Sequence, residues 1–191
     1  MDKGRLEAFT DGVIAIIITI MVLELKVPPG ADLAALQSSV PIFLAYVLSY
    51  VNVGIFWNNH HHMLHATARI NGRVLWANLF MLFWLSLVPF VIRWIDEASS
   101  EALPTAAYGI VLAMASIGYI LLQSAIVACN GRNSPLAAAV GRDLKGKLSL
   151  ALYVIAVPLA FVRPWSAIVL YIATAAAWFV PDRRIESLER I

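Results

Sequence analysis

The sequence predicts an all-α integral membrane protein of six transmembrane helices with both termini in the cytoplasm. Three observations carry that reading. Hydrophobic residues make up 61% of the 191-residue chain, and charged residues only 14%. A soluble domain is nearer half apolar and a quarter charged, so the surplus apolar surface has to face lipid. The apolar residues fall into stretches of about bilayer length. The basic residues collect in alternate connections between them.

Four stretches are long enough to span, at about 9–27, 40–60, 74–95 and 105–129. Two shorter ones, 148–162 and 165–180, lie at or below the usual minimum and are joined by the tight polar turn Arg163-Pro164. A tilted pair of short spans accommodates them. Eleven of the fourteen Lys and Arg residues then fall on one side: Lys3, Arg5, Arg69, Arg73, Arg132, Arg142, Lys145, Lys147, Arg183, Arg184 and Arg190. Lys26, Arg93 and Arg163 are left on the other, where Asp96, Glu97 and Glu101 are also found. Positive-inside bias places the richer side in the cytoplasm. Adding or dropping one span would swap the later loops and blur the bias.

Residues 1–191 read as a single six-helix domain without internal repeats. The apolar run after Met1-Asp2-Lys3-Gly4-Arg5 has the look of a signal-peptide core. Glu24, Leu25 and Lys26 follow it in place of a small-residue cleavage site, so it reads as a retained helix. A single cysteine, Cys129, rules out an intrachain disulfide. A net charge of +2 does not point to nucleic acid. Trp57, Trp76, Trp94, Tyr108, Trp165 and Trp178 lie near span ends, where amphipathic rings favour the interface. Pro89 and Pro158 fall inside spans, and the tail after Pro181 has the pattern of a short amphipathic surface helix.

The first span holds most of the chemistry. Asp11 lies at the membrane edge, where a lone carboxylate is costly and needs a partner or water. Thr10 or Asp11 as a helix cap is the plain alternative. Ile16, Thr19, Ile20 and Leu23 follow i, i+3, i+4, i+7 and share one helix face. Such a stripe either packs or meets lipid, or else lines a pore. Thr19 can bond its own backbone. Glu24, one turn beyond, is a candidate for attracting cations at an outer mouth or for a salt bridge with Lys26.

All four histidines lie in His60-His61-His62-Met63-Leu64-His65. His61 and His65, at i, i+4, could hold zinc or copper. A single cluster is too few for a di-iron oxygenase. A helix end with one or two bonded histidines and the rest wet accounts for it too, and a histidine could partner Asp11.

Taken together, these stretches resemble the transmembrane protein 175 family of potassium channels. Its first helix carries Arg-x-x-x-Phe-Ser-Asp, matched here by Arg5, Phe9, Thr10 and Asp11, with Thr for Ser. Its Trp-x-x-His pattern is matched by Trp57 and His60 with His61, and its Leu-x-x-Asn-Leu by Leu75, Asn78 and Leu79. The match is close in the first half of the chain and extends to the second half only in hydropathy.

The resemblance implies a homotetramer with the first helices grouped round a central pore. The pore is constricted by Ile16, Ile20 and Leu23, with Thr19 influencing selectivity. Arg5, Phe9, Thr10, Asp11, Trp57, His60 and Asn78 would hold the first helix in place. It also implies passive conduction of potassium and other monovalent cations across the bilayer, no cofactor, and a prokaryotic plasma (inner) membrane. The alternatives left open are a metal-binding membrane enzyme using the histidine cluster and a non-conducting structural subunit.

Overall fold

The structure, a computed structural model, describes residues 2–28, 30–98, 101–131, 134, 137 and 143–178. Its helices are α1 (Lys3–Leu23), α2 (Leu33–Ser38), α3 (Val40–His65), α4 (Gly72–Ser86), α5 (Val88–Glu97), α6 (Ala102–Asn130), α7 (Leu144–Val162) and α8 (Pro164–Trp178). Among the described residues, five segments are long and apolar enough to cross a membrane: α1, α3, α4 with α5, α6, and α7. The described part of α8, 15 residues, covers about 22 Å of a hydrocarbon layer about 30 Å thick.

Several boundaries depart from the sequence reading for identifiable reasons. α1 starts well before the apolar run, because Asp2 caps it by accepting from the backbone N–H of Gly4 at 3.0 Å. Thr10 and Asp11 therefore sit inside the helix, and neither caps it. α3 continues past residue 60 to His65, so the whole histidine cluster is helical. The third span is broken at Leu87. Ser86 ends α4, and Pro89, lacking an N–H, takes a first-turn position in α5 where none is required. Pro158, by contrast, lies within an unbroken α7. α7 itself reaches spanning length because Asp143 caps it, so that it begins at Leu144, four residues ahead of the predicted start. Arg163 is extended, as a residue before proline prefers, and the chain reverses there into α8. The tail after Pro181 lies outside the described residues.

α6 is the central helix, packing on α4, α5, α7 and α8, and α1 packs on α3, α4 and α5. α4 and α6 meet closely at Gly118, where a Cβ would stand 2.7 Å from the Met81 Cα. Tyr108, expected at an interface, is buried instead, with its hydroxyl 2.9 Å from the Ser49 hydroxyl. Asn52 joins that group, donating to the Tyr108 oxygen at 3.4 Å and accepting from the Tyr153 hydroxyl at 3.1 Å. A polar seam thus ties α3, α6 and α7.

Candidate functional site

α1 has two unlike faces. Leu6, Thr10, Ile14, Ile17 and Met21 recur every three or four residues and are buried against the rest of the protomer. On the other side Ile16 is 58% exposed and Leu23 79%, with Thr19 and Ile20 also exposed between them. The four outward residues form one stripe along the helix.

Polar side chains fix which face turns inward. Thr10, Asn78 and His60 are fully buried. The Asn78 amide donates to the Thr10 hydroxyl oxygen at 2.9 Å, so the Asn78 carbonyl oxygen is the acceptor for His60, whose Nε2 lies 2.9 Å away. His60 therefore carries its proton on Nε2, and its Nδ1 is a buried acceptor with no partner among the described residues. This chain links α1, α4 and α3. Removing its middle member would orphan two buried groups, each at a cost of about 1–3 kcal/mol.

At the histidine end α1 and α3 run antiparallel and zip together in steps of four. The Lys3 ammonium donates to the His65 carbonyl at 3.3 Å. One turn on, Glu7 Oε1 lies 3.2 Å from His61 Nδ1. A further turn on, Asp11 accepts from the Trp57 indole N–H at 2.8 Å, and that indole stacks on His61 with ring centres 6.0 Å apart. Asp11 thus takes a tryptophan as its partner rather than a histidine. Lys3 and Glu7 were not among the candidate site residues, although their four-residue step to Asp11 mirrors that of Trp57, His61 and His65.

At the opposite end Glu24 closes α1 as its C-cap residue. Its carboxylate lies 3.4 Å from Arg93, whose Nε donates to Glu97 at 3.0 Å, while Lys26 pairs with Asp96 at 3.0 Å. The Glu24–Lys26 pair, one of the two alternatives for Glu24, does not form; both residues bond to α5 instead. α1 is therefore pinned at each end and near its first third, all on the same side.

Of the remaining candidates, Arg5 is exposed and Phe9 is 51% exposed, and neither joins the buried network. His61 and His65, the metal alternative, have ring centres 6.4 Å apart, and His61 is engaged by Glu7. No group of three or more His, Cys, Asp or Glu side chains suited to a metal ion occurs among the described residues. The Thr19 hydroxyl donates to the Ile16 carbonyl at 2.8 Å. Its proton is thereby engaged, and the residue is exposed.

A bundle of apolar helices of spanning length, with one helix anchored on one side and bare on the other, defines an integral membrane protein. The profile of the family described as endosomal/lysosomal potassium channel TMEM175 matches residues 5–89. A protein named as a potassium channel from Chryseobacterium sp. (strain P1-3) is 50% identical over 186 residues, covering 97% of each chain. Another so named, from Streptomyces collinus, is 33% identical over 126 residues, covering 62% of this chain and 61% of its own. The fold matches the crystal structure of a lysosomal potassium-selective channel TMEM175 homolog from Chamaesiphon minutus. The TM-score is 0.76 and the identity 26%, with 92% of this chain and 95% of that chain covered. The chain belongs to the transmembrane protein 175 family. Its relatives are channels, and it is not an enzyme.

Proposed function

We propose that the protein is a potassium-preferring cation channel that conducts passively through a homotetrameric pore lined by α1. The observation that carries this reading is the bare stripe Ile16, Thr19, Ile20 and Leu23 on a helix pinned along its opposite face. The names borne by relatives matched over most of the chain support potassium as the permeant ion.

One α1 cannot enclose a pore, but four copies around a cyclic axis can. Rings of Ile16, Ile20 and Leu23 then form an apolar neck that gates by dewetting. Water leaves a narrow apolar passage, and an ion stripped of its shell cannot cross. The Thr19 oxygens, their protons held by the Ile16 carbonyls, offer lone pairs that replace part of that shell. At the outer mouth each protomer sets Glu24, Asp96 and Glu97 against Lys26 and Arg93, a small negative surplus that draws cations in. Six spans leave both termini in the cytoplasm, and the setting is the plasma membrane of a prokaryote. Residues 1–191 act as one transmembrane domain, with Arg5, Phe9, Thr10, Asp11, Trp57, His60 and Asn78 as its α1 anchor region.

The test is current through purified, reconstituted protein under a potassium gradient opposed by sodium. A current reversing toward the potassium equilibrium potential is expected, shifted toward sodium by Thr19→Val. Silence from a demonstrably folded tetramer would overturn conduction. Normal current indifferent to substitutions at both Ile16 and Thr19 would overturn α1 as the lining.

A further inference from the structure

Away from α1, the bundle has a lateral groove of about 390 Å³ between the first half of α3 and α8, floored by the end of α5 and the start of α6. That volume falls within the range of about 300–1,000 Å³ typical of small-molecule sites. No residue of α1 lines it. We propose that this groove holds one acyl chain of a membrane phospholipid, bound to each protomer as a structural lipid.

The chemistry of the wall selects hydrocarbon. Leu44, Ala45 and Leu48 of α3 face Ile168, Ile172 and Ala176 of α8 across it. The few hydroxyls in the lining are turned away into bonds of their own. Ser49 and Tyr108 bond each other, Thr105 donates to the Glu101 carbonyl at 2.7 Å, and Tyr171 donates to the Thr105 carbonyl at 3.0 Å. A polar ligand would find no partner there, and water would not stay.

The setting then names the occupant. α3, α5 and α6 belong to segments long and apolar enough to span, and α8 is a shorter apolar helix packed among them, so the medium at the opening of the groove is lipid. An empty cavity would forfeit the dispersion contacts that a chain supplies. The rim also carries a headgroup-level anchor. Trp165 is 72% exposed at the N-terminal end of α8, and Arg163 just before it is exposed with no ion pair among the described residues. An indole at the interface beside a guanidinium suits a glycerophosphate whose chain descends along α8.

Native mass spectrometry of the full-length protein in mild detergent, with retained phospholipid counted, tests this. One phospholipid per protomer is expected in the wild type. Ala45→Trp or Ala176→Trp, which fill the groove, should each lower retention at least fivefold. Val154→Trp, on the exposed face of α7, should leave it unchanged. Equal retention in all four proteins, no retained lipid in the wild type, or equal loss in the α7 control would overturn the proposal. So would a change of oligomeric state with lipid retention unaltered, which would make the groove a seat for a second copy. Should the tryptophan variants fail to fold, a phospholipid with a photoactivatable acyl chain decides on the wild type. Labels concentrated on 44–48 and 168–176 support the site, and labels spread over every lipid-facing helix overturn it.

Discussion

The two faces of α1 are built from the same kinds of residue and end in opposite surroundings. Ile14 and Ile16 are two positions apart, yet Ile14 is 2% exposed and Ile16 58%. Hydrophobicity cannot have sorted them, since in a bilayer lipid is as apolar as the neighbouring helices. The sorting comes from Glu7, Thr10 and Asp11. Each has a hydrogen-bonding partner on α3 or α4, and each would be costly to leave in hydrocarbon or at its edge. A few polar contacts fix the rotation of the helix, and the apolar outward stripe follows. Substitutions on the pinned face should therefore alter stability and assembly, while those on the bare face should alter conduction.

The sharpest attempt to break this division is Asn78→Leu. It leaves the Thr10 hydroxyl and His60 Nε2 without their bonds inside the bundle, at a cost of about 2–6 kcal/mol. A large fall in the thermal midpoint and in the yield of assembled protein is expected, with the reversal potential of the surviving channels unchanged. A stable variant with shifted selectivity would show that the two faces are not separable. Asp11→Ala should act in the same direction but less strongly, by about 1–2 kcal/mol, because its charge-assisted bond to Trp57 lies nearer solvent. Size-exclusion profiles of the two variants would rank them. A well-assembled Asp11→Ala protein with wild-type melting would remove Asp11 from the anchor.

What was legible in the sequence follows the same physics. The spans showed because apolar runs and alternating basic loops are properties of single segments. The helix ends did not, because α1, α3 and α7 extend into charged or histidine-rich sequence where hydropathy carries no signal and caps such as Asp2 and Asp143 decide. The break at Leu87 was signalled only by Pro89, which is equally compatible with an intact span, as Pro158 shows in α7. α2 has six residues and no buried one, too little for a pattern to register. Thr10 and Asn78 are 68 positions apart, and nothing in their spacing joins them; family resemblance alone placed them together, along with Arg5 and Phe9, which stay outside the network. Glu24 was read beside Lys26 because they are neighbours in sequence, whereas the acceptors and donors that pair with them sit on α5.

On the bare face the complementary experiment is Ile16→Asn. A polar side chain in a ring of four would keep water in the proposed neck. Flux should rise about tenfold, corresponding to a barrier about 1.4 kcal/mol lower, with the melting temperature hardly changed because the side chain is not packed in the protomer. Unchanged flux in a folded channel would count against Ile16 as the constriction and move attention along the stripe to Ile20 and Leu23. A collapse in stability without a change in flux would place this face in a packed contact.

The smallest effect, and the one that best separates anchoring from ion attraction, is expected for Arg93→Gln. Arg93 lies between Glu24 and Glu97 and is largely exposed, where solvent screens such pairs, so its loss should lower stability only slightly. Its electrostatic consequence is distinct. Removing the cation raises the negative surplus at the proposed outer mouth, which should increase single-channel current at low ionic strength. The gain should fade as salt approaches about 0.15 M, where the Debye length is about 8 Å. Current measured at low and physiological potassium gives the answer. A salt-dependent gain fits Glu24 beside the permeation path. A loss of current with lowered stability at both salt concentrations would make the Glu24–Arg93–Glu97 group purely a clamp on the end of α1.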